Sequence, residues 1–179
     1  MKGIVFNLLQ ESIEKLFGEE AWDSLLDASG LSGAYTSLGS YPDQELFTLV
    51  EATSVLVKKD QAEILRCFGR TAMPMLQTRY PEFFTMHRSA RSFILSVNDI
   101  IHPEVRKLYA GASCPHFHFD EDTEGRLLLG YRSPRQLCQL AHGFIEGSLD
   151  YFGEQATIEH LLCMHRGDGI CRMSIDWHP

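Results

Sequence analysis

The sequence has no long apolar run and no excess of basic residues. No apolar stretch approaches the roughly 20 residues that a membrane-spanning helix needs, and the first residues enter an amphipathic pattern that lacks the apolar core of a secretion signal. We therefore expect a cytoplasmic protein. Lys and Arg number 16 against 24 Asp and Glu, a formal net charge of −8, and the basic residues are scattered. This distribution argues against a nucleic-acid-binding surface.

The number of cysteines argues against a disulfide framework. There are five, an odd number in a chain without a secretion signal, which indicates thiols or metal ligands. We expect two of them, Cys67 and Cys114, to be buried and inert. The 179 residues, 44% of them hydrophobic and 22% charged, predict one globular domain with a sizeable core.

Helical periodicity dominates the first 80 residues, and strand periodicity appears only later. Apolar side chains at helical spacing predict a helix over 3–17 that ends at Gly18. The predicted helices that follow cover about 20–28, 42–58, 60–78, 100–109 and 136–152. Alternating patterns and turn residues predict two β-hairpins, with strands at 116–120 and 126–131 and at 157–164 and 170–177. The predicted fold class is α+β, with a helical part over about 1–80 and a mixed part with a four-stranded antiparallel sheet over about 81–179.

One predicted strand end carries a group of polar side chains on one face. Tyr131, Ser133 and Arg135 stand at alternate positions, so two hydroxyls and a guanidinium point the same way. Arg binds carboxylates through two parallel hydrogen bonds, and the trio therefore suits the two propionates of a haem. His102, in an apolar stretch near a predicted helix start, would supply an axial ligand to the iron. The alternatives are a solvated strand edge and an ordinary surface histidine.

The sequence resembles the haem nitric oxide/oxygen-binding family. The resemblance lies in these residues and in three further segments: the opening Met-Lys-Gly-Ile-Val-Phe-Asn, Tyr80-Pro-Glu-Phe-Phe, and Gly143-Phe-Ile-Glu-Gly. The family comprises the H-NOX domains related to the sensor of soluble guanylate cyclase, and the resemblance covers essentially the whole chain. It implies one H-NOX domain that binds haem b (iron protoporphyrin IX) between its two parts.

The resemblance assigns roles to the residues already singled out. His102 becomes the proximal haem ligand, and Tyr131, Ser133 and Arg135 become the propionate clamp. Pro115, in Cys-Pro-His, matches a family proline that packs on the macrocycle and helps to bend it. A plain loop proline before a strand remains the alternative for Pro115.

The resemblance also implies which gases bind. In family members that hold dioxygen, a tyrosine stands five residues after the clamp arginine, and here that residue is Leu140. The other positions that match the distal lining are also apolar: Val5, Leu9, Ala72 and Leu76. Bound dioxygen gains from a hydrogen-bond donor, whereas nitric oxide and carbon monoxide bind adequately without one. We expect discrimination against dioxygen, although each of these side chains could simply be core.

The function that the resemblance implies is gas sensing without catalysis. Nitric oxide would bind the ferrous iron opposite His102, weaken the iron–histidine bond and release the helix that bears His102. Because the chain ends just after the sheet, we expect the output to pass through a separate protein. Family members encoded alone usually work with a histidine kinase or a cyclic-di-GMP enzyme. A haem peroxidase would need a distal acid–base group, which the matched positions lack.

A second constellation consists of Cys138, His160, Cys163 and Cys171. Three thiolates and one imidazole form a closed tetrahedral set that suits structural zinc. A subset of bacterial family members resembles this pattern and carries zinc there. The alternatives are buried thiols brought together by the second hairpin, a haem-free interaction module organised by zinc, and a redox sensor that acts through this site.

Overall fold

A helical part is followed by a four-stranded antiparallel sheet with further helices, as the α+β prediction required. The computed structural model describes residues 1–178, so Pro179, the last residue of the predicted mixed part, lies outside the described residues. Eight α-helices in the described part are α1 (Gly3–Phe17), α2 (Ala21–Ser29), α3 (Asp43–Val57), α4 (Gln61–Arg79), α5 (Glu82–Thr85), α6 (Ala90–Leu95), α7 (His102–Leu108) and α8 (Cys138–Phe152). None of these helices is both long and apolar enough to cross a membrane.

The first helices form where the sequence pattern predicts them. In α1, Phe6, Leu9 and Ile13 recur at helical spacing and are buried in the core. Gly18 ends the helix with a φ of 99°, which favours glycine. At the start of α4 the Asp60 carboxylate accepts a hydrogen bond from the backbone N–H of Ala62, which satisfies a helix donor that has no partner within the helix.

Two hairpins make the sheet. Its strands are β1 (His116–Glu121), β2 (Leu127–Arg132), β3 (Ala156–Leu162) and β4 (Cys171–Trp177), in the spatial order β1-β2-β4-β3. β2 pairs with β4 so that Tyr131 lies opposite Cys171 and Leu129 opposite Met173. All four of these side chains are buried, which sets one face of the sheet toward the interior.

The segment before α7 differs from the prediction. The helix predicted over about 100–109 is preceded by a π-helix, Val97–Ile101, that contains Asn98 and runs directly into α7. The Asn98 side-chain amide donates to the backbone carbonyl of Phe117 at 2.7 Å and accepts from the N–H of Phe117 at 3.0 Å. One amide thus satisfies both main-chain groups of an outer-strand residue, and it ties the start of α7 to the sheet.

Helices α4 and α8 lie unusually close together. A Cβ atom added to Gly143 would meet the carbonyl oxygen of Arg66 at 2.0 Å, and one added to Gly69 would meet that of Leu140 at 2.4 Å. The contact is flanked by two paired ion bridges, each with two N–H···O bonds: Arg66 with Glu146 (2.8 and 2.5 Å) and Arg70 with Asp150 (2.6 and 2.8 Å). The glycines therefore allow the helical part and the mixed part to pack backbone against backbone.

We expect Gly143→Ala to destabilise the protein, because the added methyl group forces α4 and α8 apart. Overpacking of this kind costs about 1–3 kcal/mol, which lowers the thermal midpoint of a protein of this size by roughly 2–4 °C per kcal/mol. Circular dichroism melts at equal haem content measure the shift. Gly169→Ala is the control, since nothing lies within 4 Å of the Cβ position there. Equal melting of the two variants would contradict the close-contact argument.

Candidate functional site

A cavity of about 450 Å³ lies between the helical part and the sheet. Its walls come from α1, α4, α7, β2 and α8 and from the loop before β1, and most of the lining side chains are apolar. The predicted residues that line it are Val5, Leu76, His102, Pro115, Tyr131, Ser133, Arg135 and Leu140. The fold therefore brings together residues from both ends of the chain around one space.

His102 is the nitrogen base on the cavity wall. As the first residue of α7 it stacks on Phe117 of β1, with ring centroids 5.8 Å apart. Its Nδ1 atom is buried and has no hydrogen-bond partner among residues 1–178. Burial lowers the pKa of His102 to about 4. The imidazole is therefore neutral at physiological pH, the form in which histidine binds a metal.

Polar side chains of β2 and the turn after it meet at another part of the wall. The Tyr131 hydroxyl accepts a hydrogen bond from the backbone N–H of Leu137 at 3.0 Å, and the Ser133 hydroxyl accepts one from the N–H of Arg135 at 3.2 Å. Tyr131 and Ser133 are almost fully buried. Strand β2 ends at Arg132, so Ser133 and Arg135 lie in the turn, but the turn still brings all three side chains to the cavity wall.

Arg135 is engaged by a partner that the sequence analysis missed. Its Nε atom donates to Asp43 Oδ2 at 2.7 Å and its Nη1 atom to the carbonyl of Ser113 at 2.9 Å. The other Asp43 oxygen accepts from the N-terminal ammonium of Met1 at 2.6 Å. Burial would raise the pKa of Asp43, but these two cationic donors outweigh it and lower that pKa. No local signal could reveal the pair, since 92 positions separate its members.

Two of the three nitrogen atoms of the Arg135 guanidinium are therefore already hydrogen-bonded. Within residues 1–178 its Nη2 atom has no hydrogen-bond acceptor, whereas Nε and Nη1 hold Asp43 and Ser113. A carboxylate at this end of the cavity would meet Nη2 and the two hydroxyls. It would share the guanidinium with Asp43 rather than replace it.

Two of the five predicted distal residues do not line the cavity within the part of the chain that the structure describes. Leu9 and Ala72 are fully buried in the core instead. Leu8, the neighbour of Leu9, lies on the wall in its place. Adjacent residues on a helix point about 100° apart, and with apolar side chains at both positions the sequence could not tell which one faces the cavity.

The cavity side of α8 offers no free hydroxyl within the described chain. Leu140 is joined on the wall by Ala141, Phe144 and Ile145, and the hydroxyl of Ser148 donates to the carbonyl of Phe144 at 2.7 Å. Helical spacing from Leu140 could have identified Phe144 in advance. This side of the cavity is apolar in character.

A cluster of thiols lies on the other side of α8. Cys138 at the helix start, Cys163 after β3 and Cys171 at the start of β4 are buried, and their sulfur atoms all lie within 4.8 Å of one another. The backbone N–H of Met164 points at the sulfur of Cys171, 3.2 Å away. Burial, and then the neighbouring Cys171 thiol, raise the pKa of Cys138, so a thiolate there needs a compensating cation.

The two remaining cysteines do not match the prediction that they are buried and inert. Cys67 is exposed on α4, because it stands on the solvent side of that helix. Cys114 is half-buried, and it lies on the cavity wall next to Pro115. Burial raises the pKa of the Cys114 thiol, which keeps it protonated.

His160 stands outside the cluster of mutually close sulfur atoms. Its Nε2 atom lies 3.0 Å from Nδ1 of His142 on α8, and the two rings stack with centroids 5.2 Å apart. Burial lowers the pKa of His160, and it lowers that of His142 to about 4. The sequence analysis missed His142, although it stands one helical turn after Cys138 and hence on the same face of α8.

The comparisons with known proteins agree with this geometry. The haem-NO-binding family model matches residues 2–160. An H-NOX protein from S. oneidensis in the Fe(II)NO ligation state is 30% identical, with a TM-score of 0.93 and full coverage of both chains. The Fe(II)CO state of an H-NOX domain from Shewanella oneidensis gives a TM-score of 0.89 at 30% identity over 99% of both chains. The unliganded Fe(II) H-NOX protein from K. algicida is 26% identical, with a TM-score of 0.87 over 100% of this chain and 97% of that one.

Proposed function

This chain belongs to the haem-NO-binding (H-NOX) family, and we propose that it is a nitric oxide sensor that excludes dioxygen and regulates a separate signalling protein. The observation that carries the proposal is the cavity with a neutral, unpaired histidine nitrogen on its wall. A mostly apolar cavity of this size, with a few polar groups on its wall, is what a small-molecule or cofactor site requires.

The cavity residues fit a haem. His102 would hold the iron, and Pro115 and the apolar side chains would pack on the ring. Ser133, Tyr131 and the Nη2 atom of Arg135 would bind propionate oxygens. Bound iron would supply the position at which a diatomic gas binds.

The apolar side of the cavity supports selectivity against dioxygen. Leu140, Phe144 and Leu8 offer no donor to a polarised ligand, and the hydroxyl of Ser148 is already used by a backbone carbonyl. Nitric oxide and carbon monoxide do not depend on such a donor. The ligation states of the Shewanella oneidensis relatives, Fe(II)NO and Fe(II)CO, support the same two ligands here.

The segment that bears His102 is suited to moving. No residue of α7 is buried, and the π-helix before it is likewise without a buried residue. Elements held by few buried contacts are those that open most easily. Loss of the bond at His102 would leave α7 tethered chiefly through Asn98 and β1, so α7 can shift while the sheet stays in place. A histidine kinase or a cyclic-di-GMP enzyme would respond to that change.

We also propose that Cys138, Cys163 and Cys171 bind one structural zinc ion with His160 as the fourth ligand. Three buried thiols within 4.8 Å form a soft donor set. The N–H that Met164 aims at Cys171 favours the thiolate form. A haem-free zinc module would use this cluster but would leave the His102 cavity unexplained, so the haem sensor is the better account of both.

We expect His102→Gly to lose tight haem binding unless imidazole is supplied, because the substitution removes the axial bond. Arg135→Ala should weaken haem retention, since propionate charge loses its cationic partner. Haem stoichiometry and the rate of transfer to apomyoglobin measure both effects.

His87→Gly and Arg132→Ala are the controls for haem retention. His87 also has a buried ring nitrogen without a partner, and Arg132 is exposed on the same strand, but neither side chain lines the cavity. Normal haem retention in His102→Gly without imidazole would reject the ligand assignment.

We expect the ferrous protein to bind nitric oxide and carbon monoxide and to form no stable dioxygen complex. Anaerobic reduction followed by exposure to each gas, monitored by the Soret band, tests this. Leu140→Tyr should slow dioxygen loss relative to Leu140→Phe, because the two rings differ only in the hydroxyl donor. A persistent oxy spectrum in the unmodified protein would contradict the proposed selectivity against dioxygen.

We expect one zinc ion per chain, present whether or not haem is bound. Cys163→Ser should lower zinc content and thermal stability while leaving the Soret band largely unchanged, because the ligands lie away from the haem cavity. Cys67→Ser, at an exposed thiol, is the control. Elemental analysis that finds no zinc in carefully purified reduced protein would end the zinc proposal.

A further inference from the structure

The pair formed by a buried His142 and a half-buried His160 contains more nitrogen atoms than it has hydrogen-bond partners. His142 is 4% exposed, and one ring nitrogen of each residue is used in the 3.0 Å contact between them. The other two, His142 Nε2 and His160 Nδ1, are buried and have no partner among residues 1–178. A buried polar atom without a partner is destabilising, so two such atoms in one pair indicate a missing ligand or partner.

The charge beside the pair decides where the protons lie. His142 Nε2 is 3.9 Å from a carboxylate oxygen of Glu146, which Arg66 holds in place. A lone pair at His142 Nε2 would face a negative charge, whereas a proton there is attracted to it. The carboxylate therefore favours the His142 tautomer with its proton on Nε2, in which Nδ1 is a hydrogen-bond acceptor.

The proton positions on His160 follow from those on His142. Because His142 Nδ1 accepts, His160 Nε2 must donate its proton across the 3.0 Å contact. The Nδ1 atom of His160 then carries a lone pair and no proton. It is a buried neutral donor atom, three residues before Cys163 of the thiol cluster.

We propose that His142 is a positioning residue for the zinc site: it accepts the Nε2 proton of His160 and so leaves His160 Nδ1 free to bind the metal. This inference rests on the zinc site proposed above. Metal-bound histidines almost always donate their second ring N–H to a carbonyl, carboxylate or water. Here a second histidine takes that place and links His160 to Glu146 and Arg66.

The link crosses between the two parts of the protein. Arg66 belongs to α4 in the helical part, Glu146 and His142 belong to α8, and His160 belongs to β3. The zinc site is thereby connected to the same α4–α8 contact that the glycines allow. A histidine that only filled space at position 142 would not need to accept a hydrogen bond from His160 or to lie beside Glu146.

The test measures zinc affinity in the reduced, haem-loaded protein by competition with a chromophoric chelator, and ligand identity by the visible spectrum after Co²⁺ replacement. His142→Leu should lower zinc affinity on the order of 10- to 100-fold, the usual effect of losing such a partner. The Co²⁺ spectrum should retain its three-sulfur, one-nitrogen character. His142→Asn, whose side-chain oxygen can accept from His160, should recover most of the affinity, and it also serves if the leucine variant folds poorly.

Two carboxylate variants separate the charge effect from general loosening. Glu146→Gln and Asp150→Asn each remove one ion bridge between α4 and α8, but only Glu146 faces His142. We expect weaker zinc binding in Glu146→Gln alone. Nitrogen-15 NMR of the histidine rings should show His160 with its proton on Nε2 in the zinc form.

The possible failures are distinguishable. A wild-type protein that takes up neither zinc nor Co²⁺ overturns the zinc site and this inference with it. A wild-type protein that binds zinc, with unchanged affinity in His142→Leu or with His160 protonated on Nδ1, overturns the inference alone. Loss of the nitrogen ligand in His142→Leu but not in His160→Ala would make His142 the ligand, which also overturns the positioning role.

Discussion

The close contact between α4 and α8 is the constraint on which the rest of the molecule depends. Side chains at Gly69, Gly143 or Gly147 would drive the helices apart, and the two arginine–carboxylate bridges that flank the contact could not then form with their present geometry. Because α4 belongs to the helical part and α8 to the mixed part, this contact sets the distance between the parts. The width of the haem cavity follows from that distance.

Helix α8 serves both sites because successive residues on a helix face in different directions. Leu140 and Phe144 line the cavity. Cys138 and His142, one turn apart, lie on the side of α8 that contacts the thiol cluster and β3. A shift of α8 would therefore move side chains of the cavity wall and of the thiol cluster together. Helix α8 by itself therefore connects the cavity wall with the thiol cluster.

The two ends of the cavity are built by different physical means. At the His102 end a short helix with no buried residue is tied to the sheet through the amide of Asn98, so it is weakly anchored. At the Arg135 end an ion pair with Asp43, shared with the N-terminal ammonium, fixes the guanidinium before any ligand binds. The His102 end is thus the more weakly anchored of the two.

The sequence by itself determined six of the eight helices, the four strands and the fold class, because periodicity and turn chemistry are local. The family followed from the resemblance of particular residues and motifs. The sequence also predicted that Tyr131, Ser133 and Arg135 share one face, and all three line the cavity although only Tyr131 lies in a strand. Tertiary structure alone decided that Leu8 rather than Leu9 faces the cavity, because the rotation of α1 depends on what packs around it. It alone paired Asp43 with Arg135 and His142 with His160, since the partners of a buried charge or ring nitrogen are set by the folded path of the chain and not by spacing along it.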